Sequence, residues 1–147
     1  MKNLNYNSKM EQAPIHKPLW KAALYTTISN LDNDENNSVV SQREMIEGHL
    51  KLHPEIEIYD TYADNAYIGP VFKRPNFIRM MKDINEGKVN CVIVKDLSKF
   101  SRNYLDCEFY INDIFPRKKV RFIALNNAVD TINDVAYKYS VANKFKV

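Results

Sequence analysis

The sequence predicts an α/β fold, a mostly parallel sheet of four or five strands with helices on both faces. Three observations carry this. Short apolar runs alternate along the chain with stretches whose apolar residues recur at helical spacing. Cys91-Val92-Ile93-Val94 is apolar throughout and too short for a helix, as a buried strand would be. The resulting order, β-α-β-α-β-α-β, is that of parallel strands joined by helices.

Residues 1–18 are polar, lack periodicity and contain Pro14 and Pro18, so a flexible N-terminal arm is expected there. Trp20 to Tyr25 reads as the first buried strand. From Thr26 to Asn37 the chain is dense in Asn and Asp, whose side chains compete for nearby backbone, and a loop is expected. Ser38 or Ser41 can cap the next helix, and Ser41-x-x-Glu44 matches a capping box. That helix is expected to run to about Leu52, before Pro54. Ile56 to Tyr62 alternates and reads as a second strand, followed by a loop over 64–70.

Pro75 suits the first turn of a helix. Phe77, Met80, Met81 and Ile84 share one face of it, and Gly87 ends it. After the Cys91–Val94 strand, Phe100, Tyr104, Cys107, Ile111 and Ile114 are spaced by 4, 3, 4 and 3. One helix is expected there, stopped by Pro116. Val120 to Leu125 reads as another strand, and beyond it the signal fades. The expected division is therefore an arm over 1–18, a folded α/β domain over 19–127 and a C-terminal tail over 128–147.

The 147 residues suit one domain, and 45% apolar with 27% charged residues is ordinary globular composition. No apolar run approaches the roughly 18 residues of a membrane span. The first residues have no apolar core of a secretory signal. The two cysteines, Cys91 and Cys107, make neither a disulfide framework nor a metal spacing and read as buried thiols of a cytoplasmic protein. His49 and His53 are four apart on one helix, with no third ligand evident.

Charge is uneven. Residues 31–64 carry a net −7 and residues 71–121 a net +6, within a total of +3. A basic half is what a polyanion would meet, although solvated helix faces give the same pattern.

In such sheets ligands sit beyond the carboxyl ends of the strands. Three loops leave those ends. The first carries Thr27 and Ser29, the second Asp64, Tyr67 and Arg74, and the third Lys95, Asp96, Ser98, Lys99 and Arg102. Neither a GxGxxG nor a GxxxxGK[ST] phosphate loop is present. A serine among cations suits phosphoryl chemistry, where positive groups neutralise charge developing on oxygen.

Five blocks, in order, carry a resemblance: Tyr25-Thr26-Thr27-Ile28-Ser29, Ser41-Gln42-Arg43-Glu44, Tyr62 to Gly69, Phe72 to Phe77, and Val92 to Tyr104. Over about Lys21 to Asn127 the chain resembles the catalytic domain of the serine recombinases, in particular the large resolvases of conjugative transposons. The resemblance implies a resolvase-like sheet and a serine that attacks a DNA phosphodiester to form a 5′-phosphoserine bond. It implies DNA as partner, with strand exchange in a homodimer or higher oligomer, and neither a cofactor nor a membrane. Ser29 matches the nucleophile and Gln42 a polar residue that organises the site. Arg74 and Arg102 match arginines that contact phosphate, and Lys95 and Lys99 add to the DNA-contacting set.

The departures are equally specific. Thr27 stands where the family pattern has Arg, Lys99 where it has Arg, and Ala66 where it has Gly. Thr is short and neutral, and Lys keeps the charge without the bidentate fork. The expectation is a site-specific DNA recombinase domain of impaired activity. The alternative is a non-catalytic pseudo-recombinase that modulates a full-length recombinase as a hetero-oligomer.

Overall fold

The computed structural model describes residues 19–28, 37–65 and 69–132. The expected arm over 1–18, Ser29, Ala66, Tyr67 and most of the expected tail lie outside the described residues.

Five strands form one sheet in the order β2-β1-β3-β4-β5. They are β1 (Trp20–Ile28), β2 (Ile56–Asn65), β3 (Cys91–Val94), β4 (Arg121–Ala124) and β5 (Val129–Asp130). The first four run parallel, and β5 returns antiparallel to β4. β3 is central and buried along its whole length, as its unbroken apolar run requires.

Helix α1 (Val39–Leu50) covers one face, setting Ile46 and Leu50 against Ala22, Leu24, Cys91, Ile93 and Ile123. The other face carries α2 (Pro75–Asn85), α3 (Leu97–Phe100), α4 (Tyr104–Phe109), a π-helical stretch (Tyr110–Ile114) and α5 (Phe115–Arg117). Its core interlocks Tyr25, Phe77, Phe100, Tyr110, Phe115 and Phe122, mostly edge to face at centroid separations of 4.9–6.2 Å.

Several sequence expectations need correction. The first strand continues beyond Tyr25 to Ile28, because Thr26, Thr27 and Ile28 pair with Ala63, Asp64 and Asn65 of a second strand that is itself longer than expected. Sheet partners outweigh the local loop preference, and two threonines and an isoleucine suit the pleat. Of the two serines expected to cap α1, Ser38 does so, its Oγ accepting from the Ser41 N–H at 3.0 Å, and the capping box on Ser41 does not form the N-terminus.

The single helix expected over 100–114 is broken. Ser101 is extended, and Asn103 starts α4 by accepting the Leu105 N–H at 2.9 Å. Side-chain capping here wins over continuity of the apolar stripe. Tyr104, placed on that stripe by spacing, is instead 70% exposed. Pro116 does not stop the helix either. The Phe115 N–H already reaches back five residues to Tyr110, and Pro116 lies in the first turn of the next segment.

Past Leu125, where the sequence signal fades, β5 adds a fifth strand. Asp130 holds Arg121 of β4 through two contacts at 2.9 and 2.6 Å, and Thr131 Oγ1 accepts the Phe122 N–H at 2.9 Å.

Candidate active site

The carboxyl ends of β1 and β2 lie side by side, with Thr27 opposite Asp64. Around them the chain gathers most of the residues that the sequence singled out.

Gln42, on the first turns of α1, is fully buried. A buried amide must find partners, and it finds them on β1. Its Nε2 donates to the Thr27 carbonyl at 2.8 Å and to the Asn37 carbonyl at 2.7 Å, and its Oε1 accepts the Thr27 N–H at 3.4 Å. Thr27 is thus clamped through both its backbone groups. Lys95 reaches the same corner, donating from Nζ to Asn37 Oδ1 at 2.9 Å.

Thr27 turns its own hydroxyl the other way, donating to the Lys99 carbonyl at 2.7 Å. Lys99 lies in the one-turn helix α3, capped by Asp96, whose Oδ1 accepts the Lys99 N–H at 3.2 Å. Lys99 is 4% exposed, unusual for a lysine.

Arg74 is 5% exposed. Its burial follows from a 3₁₀ turn (Val71–Lys73) in which residues three apart share a side. Val71 and Arg74 point inward, while Phe72 and Lys73 point out. The Arg74 Nη1 donates to the Phe100 carbonyl at 2.9 Å and to the Tyr25 hydroxyl oxygen at 3.5 Å. Its Nε is buried without a hydrogen-bond partner among the described residues.

Asp64 receives three bonds: from Tyr25 Oη at 2.9 Å, from the Asn76 N–H at 2.9 Å and from the Phe77 N–H at 2.8 Å. It therefore caps α2 from a neighbouring strand, a role that the local N-cap residue, Arg74, does not fill with its own side chain.

Gln42, Lys99 and Arg74 thus converge on residues 25–27 of β1, and Lys95 joins through Asn37. Arg102 is placed differently. It is exposed and lines a cavity of about 330 Å³ with Leu97, Ser101, Tyr104, Cys107 and Ile111. Ser29 follows Ile28, the last residue of β1, and its own position is outside the described residues. Sequence reasoning missed Asn37 and the direct connections that Tyr25 and Asp64 make. Tyr25 and Asp64 lie within the quoted blocks, but no spacing rule links residues 39 positions apart. Among the described residues no cluster of three or more His, Cys, Asp or Glu could hold a metal ion. No helix among them is long and apolar enough to cross a membrane.

The family described as "Resolvase, N terminal domain" matches residues 22–139. Among solved structures, the chain is similar to the N-terminal catalytic domain of TP901-1 integrase. Identity is 27% and the TM-score 0.71, over 86% of this chain and 96% of that one. It is also similar to a resolvase family site-specific recombinase from Streptococcus pneumoniae, with 27% identity and a TM-score of 0.64 over 86% of each chain. The C-terminal catalytic domain of ISC1926 TnpA, an IS607-like serine recombinase, shares the fold at 15% identity and a TM-score of 0.58, over 71% of this chain and 67% of that one. Among curated proteins nothing matches.

Proposed function

Since the chain belongs to the resolvase family of serine recombinases, we propose that it is a site-specific recombinase domain in which Ser29 attacks a DNA phosphodiester, and that its cleavage step is slow. The observation that carries this reading is Arg74. A guanidinium at the carboxyl ends of β1 and β2, 5% exposed and with an Nε that has no hydrogen-bond partner among the described residues, is a prepared site for an anion. Displacement at phosphorus builds charge on the non-bridging oxygens, and Arg74, bonded to Tyr25 of β1, and the buried Lys99 are the cations that would meet it. Gln42 acts by holding the backbone from which Ser29 continues. Lys95 and Arg102 contribute charge toward the flanking DNA backbone.

The rate deficit follows from Thr27 and Lys99. Thr27 supplies no charge, and its hydroxyl is occupied by the Lys99 carbonyl. Losing one transition-state donor costs on the order of 100–1000-fold. This same observation supports a second reading, in which the domain assembles with a full-length recombinase and modulates it without cutting DNA.

The test is covalent capture. A nicked suicide substrate carrying the site of a full-length relative is incubated with this chain and that relative, which supplies site recognition. A faint Ser29-linked adduct, absent in Ser29→Ala, is expected. No adduct at all favours the modulating role, and a robust one removes the proposed deficit.

A further inference from the structure

Arg74 is a buried cation that touches no carboxylate directly among the described residues. The nearest acidic group in its network is Asp64, and the Tyr25 hydroxyl stands between them, 3.5 Å from Arg74 Nη1 and 2.9 Å from Asp64 Oδ2. A carboxylate only accepts, so the phenol proton points to Asp64 and a lone pair faces the guanidinium. Burial raises the Tyr25 phenol above its ordinary range, so it keeps that proton. Asp64 is held from its other side by the backbone N–H groups of Asn76 and Phe77.

We propose that Tyr25 is a positioning residue whose hydroxyl keeps the Asp64 carboxylate off the Arg74 guanidinium, leaving the arginine's charge available to a phosphate anion. This rests on the reading of Arg74 as a phosphate contact.

Asp64 and an outside anion compete for the same guanidinium. An arginine and a carboxylate in a shielded setting form a strong, often bidentate pair. Such a pair satisfies both groups internally and leaves little attraction for an outside anion. The interposed hydroxyl satisfies one oxygen of Asp64 and one nitrogen of Arg74 while keeping the two apart. Without it, Asp64 has lost a donor and Arg74 has lost an acceptor, while its Nε still has no partner among the described residues. Unpaired buried groups are costly, so the two should close on each other. The Tyr25 ring packs edge to face on Phe77 and Phe100 at 5.7 and 6.2 Å, contacts that phenylalanine can retain.

The experiment follows the Arg74 Nε–H resonance by NMR in the whole chain, with inorganic phosphate as the probe. It uses the unmodified protein, Tyr25→Phe and Tyr25→Phe/Asp64→Asn. Phosphate should move the resonance in the unmodified chain. Tyr25→Phe should displace it before phosphate is added and weaken phosphate binding about tenfold, and Asp64→Asn in that background should recover most of the loss, since Asn cannot neutralise the arginine. A merely structural tyrosine would make the double variant worse than the single one. An unchanged resonance and affinity in Tyr25→Phe, or no recovery in the double variant, overturns the proposal. If phosphate leaves the unmodified resonance in place, the reading of Arg74 as a phosphate contact fails. The spacing role is then decided by the phosphate-free resonance of the two variants. Should Tyr25→Phe not fold, the unmodified chain decides. Its Tyr25 hydroxyl proton should exchange slowly and show a cross-peak to the Arg74 side chain, and fast exchange overturns the assignment.

Discussion

Thr27 donates its hydroxyl to the carbonyl of Lys99, 72 positions away, at 2.7 Å. The bond joins the end of the strand that leads into Ser29 to the turn that carries the third loop's lysine. Where the resemblance leads one to expect an arginine, Thr27 makes a short buried link.

Replacing Thr27 by Val keeps the β-branched shape and removes the hydroxyl. The Lys99 carbonyl then loses a donor in a buried setting, which should cost about 1–2 kcal/mol. Urea unfolding should show a lower midpoint with an unchanged slope, and a variant as stable as the parent would show that the bond contributes nothing.

Thr27→Arg with Lys99→Arg should increase the Ser29-linked DNA adduct, because both new guanidinium groups can act on one phosphate. Each alone should do less than half as well on a logarithmic scale, since neighbouring groups couple. The pair should also lower stability, as an arginine at position 27 breaks the link to Lys99. Quantifying adduct for both singles and the double checks this, and additive or absent gains count against it.

DNA affinity should be weak, independent of sequence and steeply salt-dependent, as phosphate contacts release counterions. Changing Lys95 and Arg102 together to Ala should flatten the log–log salt slope by about 2 if each contacts one phosphate. Titrations at four salt concentrations measure the slope, and an unchanged slope would place both residues away from DNA.

Asp60 offers a pH test unrelated to the site. The Arg79 guanidinium hydrogen-bonded to it at 2.7 Å holds its carboxyl below the usual range. A carboxyl depressed in the folded state adds stability above its unfolded value, near 3.8, and loses it as pH falls through the folded value. Both side chains are nearly half exposed, so the contribution should stay under about 1 kcal/mol. Asp60→Asn should be less stable than the parent at pH 7 and equal to it near pH 2, as read from urea midpoints.

The order of strands and helices was legible because burial leaves a periodic trace. Cys91 to Val94 could only be a strand covered on both sides, and the Phe77, Met80 and Ile84 face could only be a helix on a sheet. The resemblance that named Gln42, Arg74, Lys95, Lys99 and Arg102 rested on short blocks, each a strand end or a helix start. Limits appeared where a local preference met a distant partner. Thr26 to Ile28 reads as loop until Ala63, Asp64 and Asn65 are set beside it. The stripe from Phe100 to Ile114 reads as one helix until Ser101 and Asn103 use their side chains on the backbone.

Fold class, family and the loops that carry cations follow from residue order alone, because periodicity and motif spacing are local properties. What those side chains touch is set by the packed fold. It buried Lys99 and Arg74 against β1, left Arg102 exposed, turned Thr27 into a link and set Tyr25 between Asp64 and Arg74. Hydrogen-bond direction and burial depend on contacts between segments tens of residues apart, and no spacing rule carries that information.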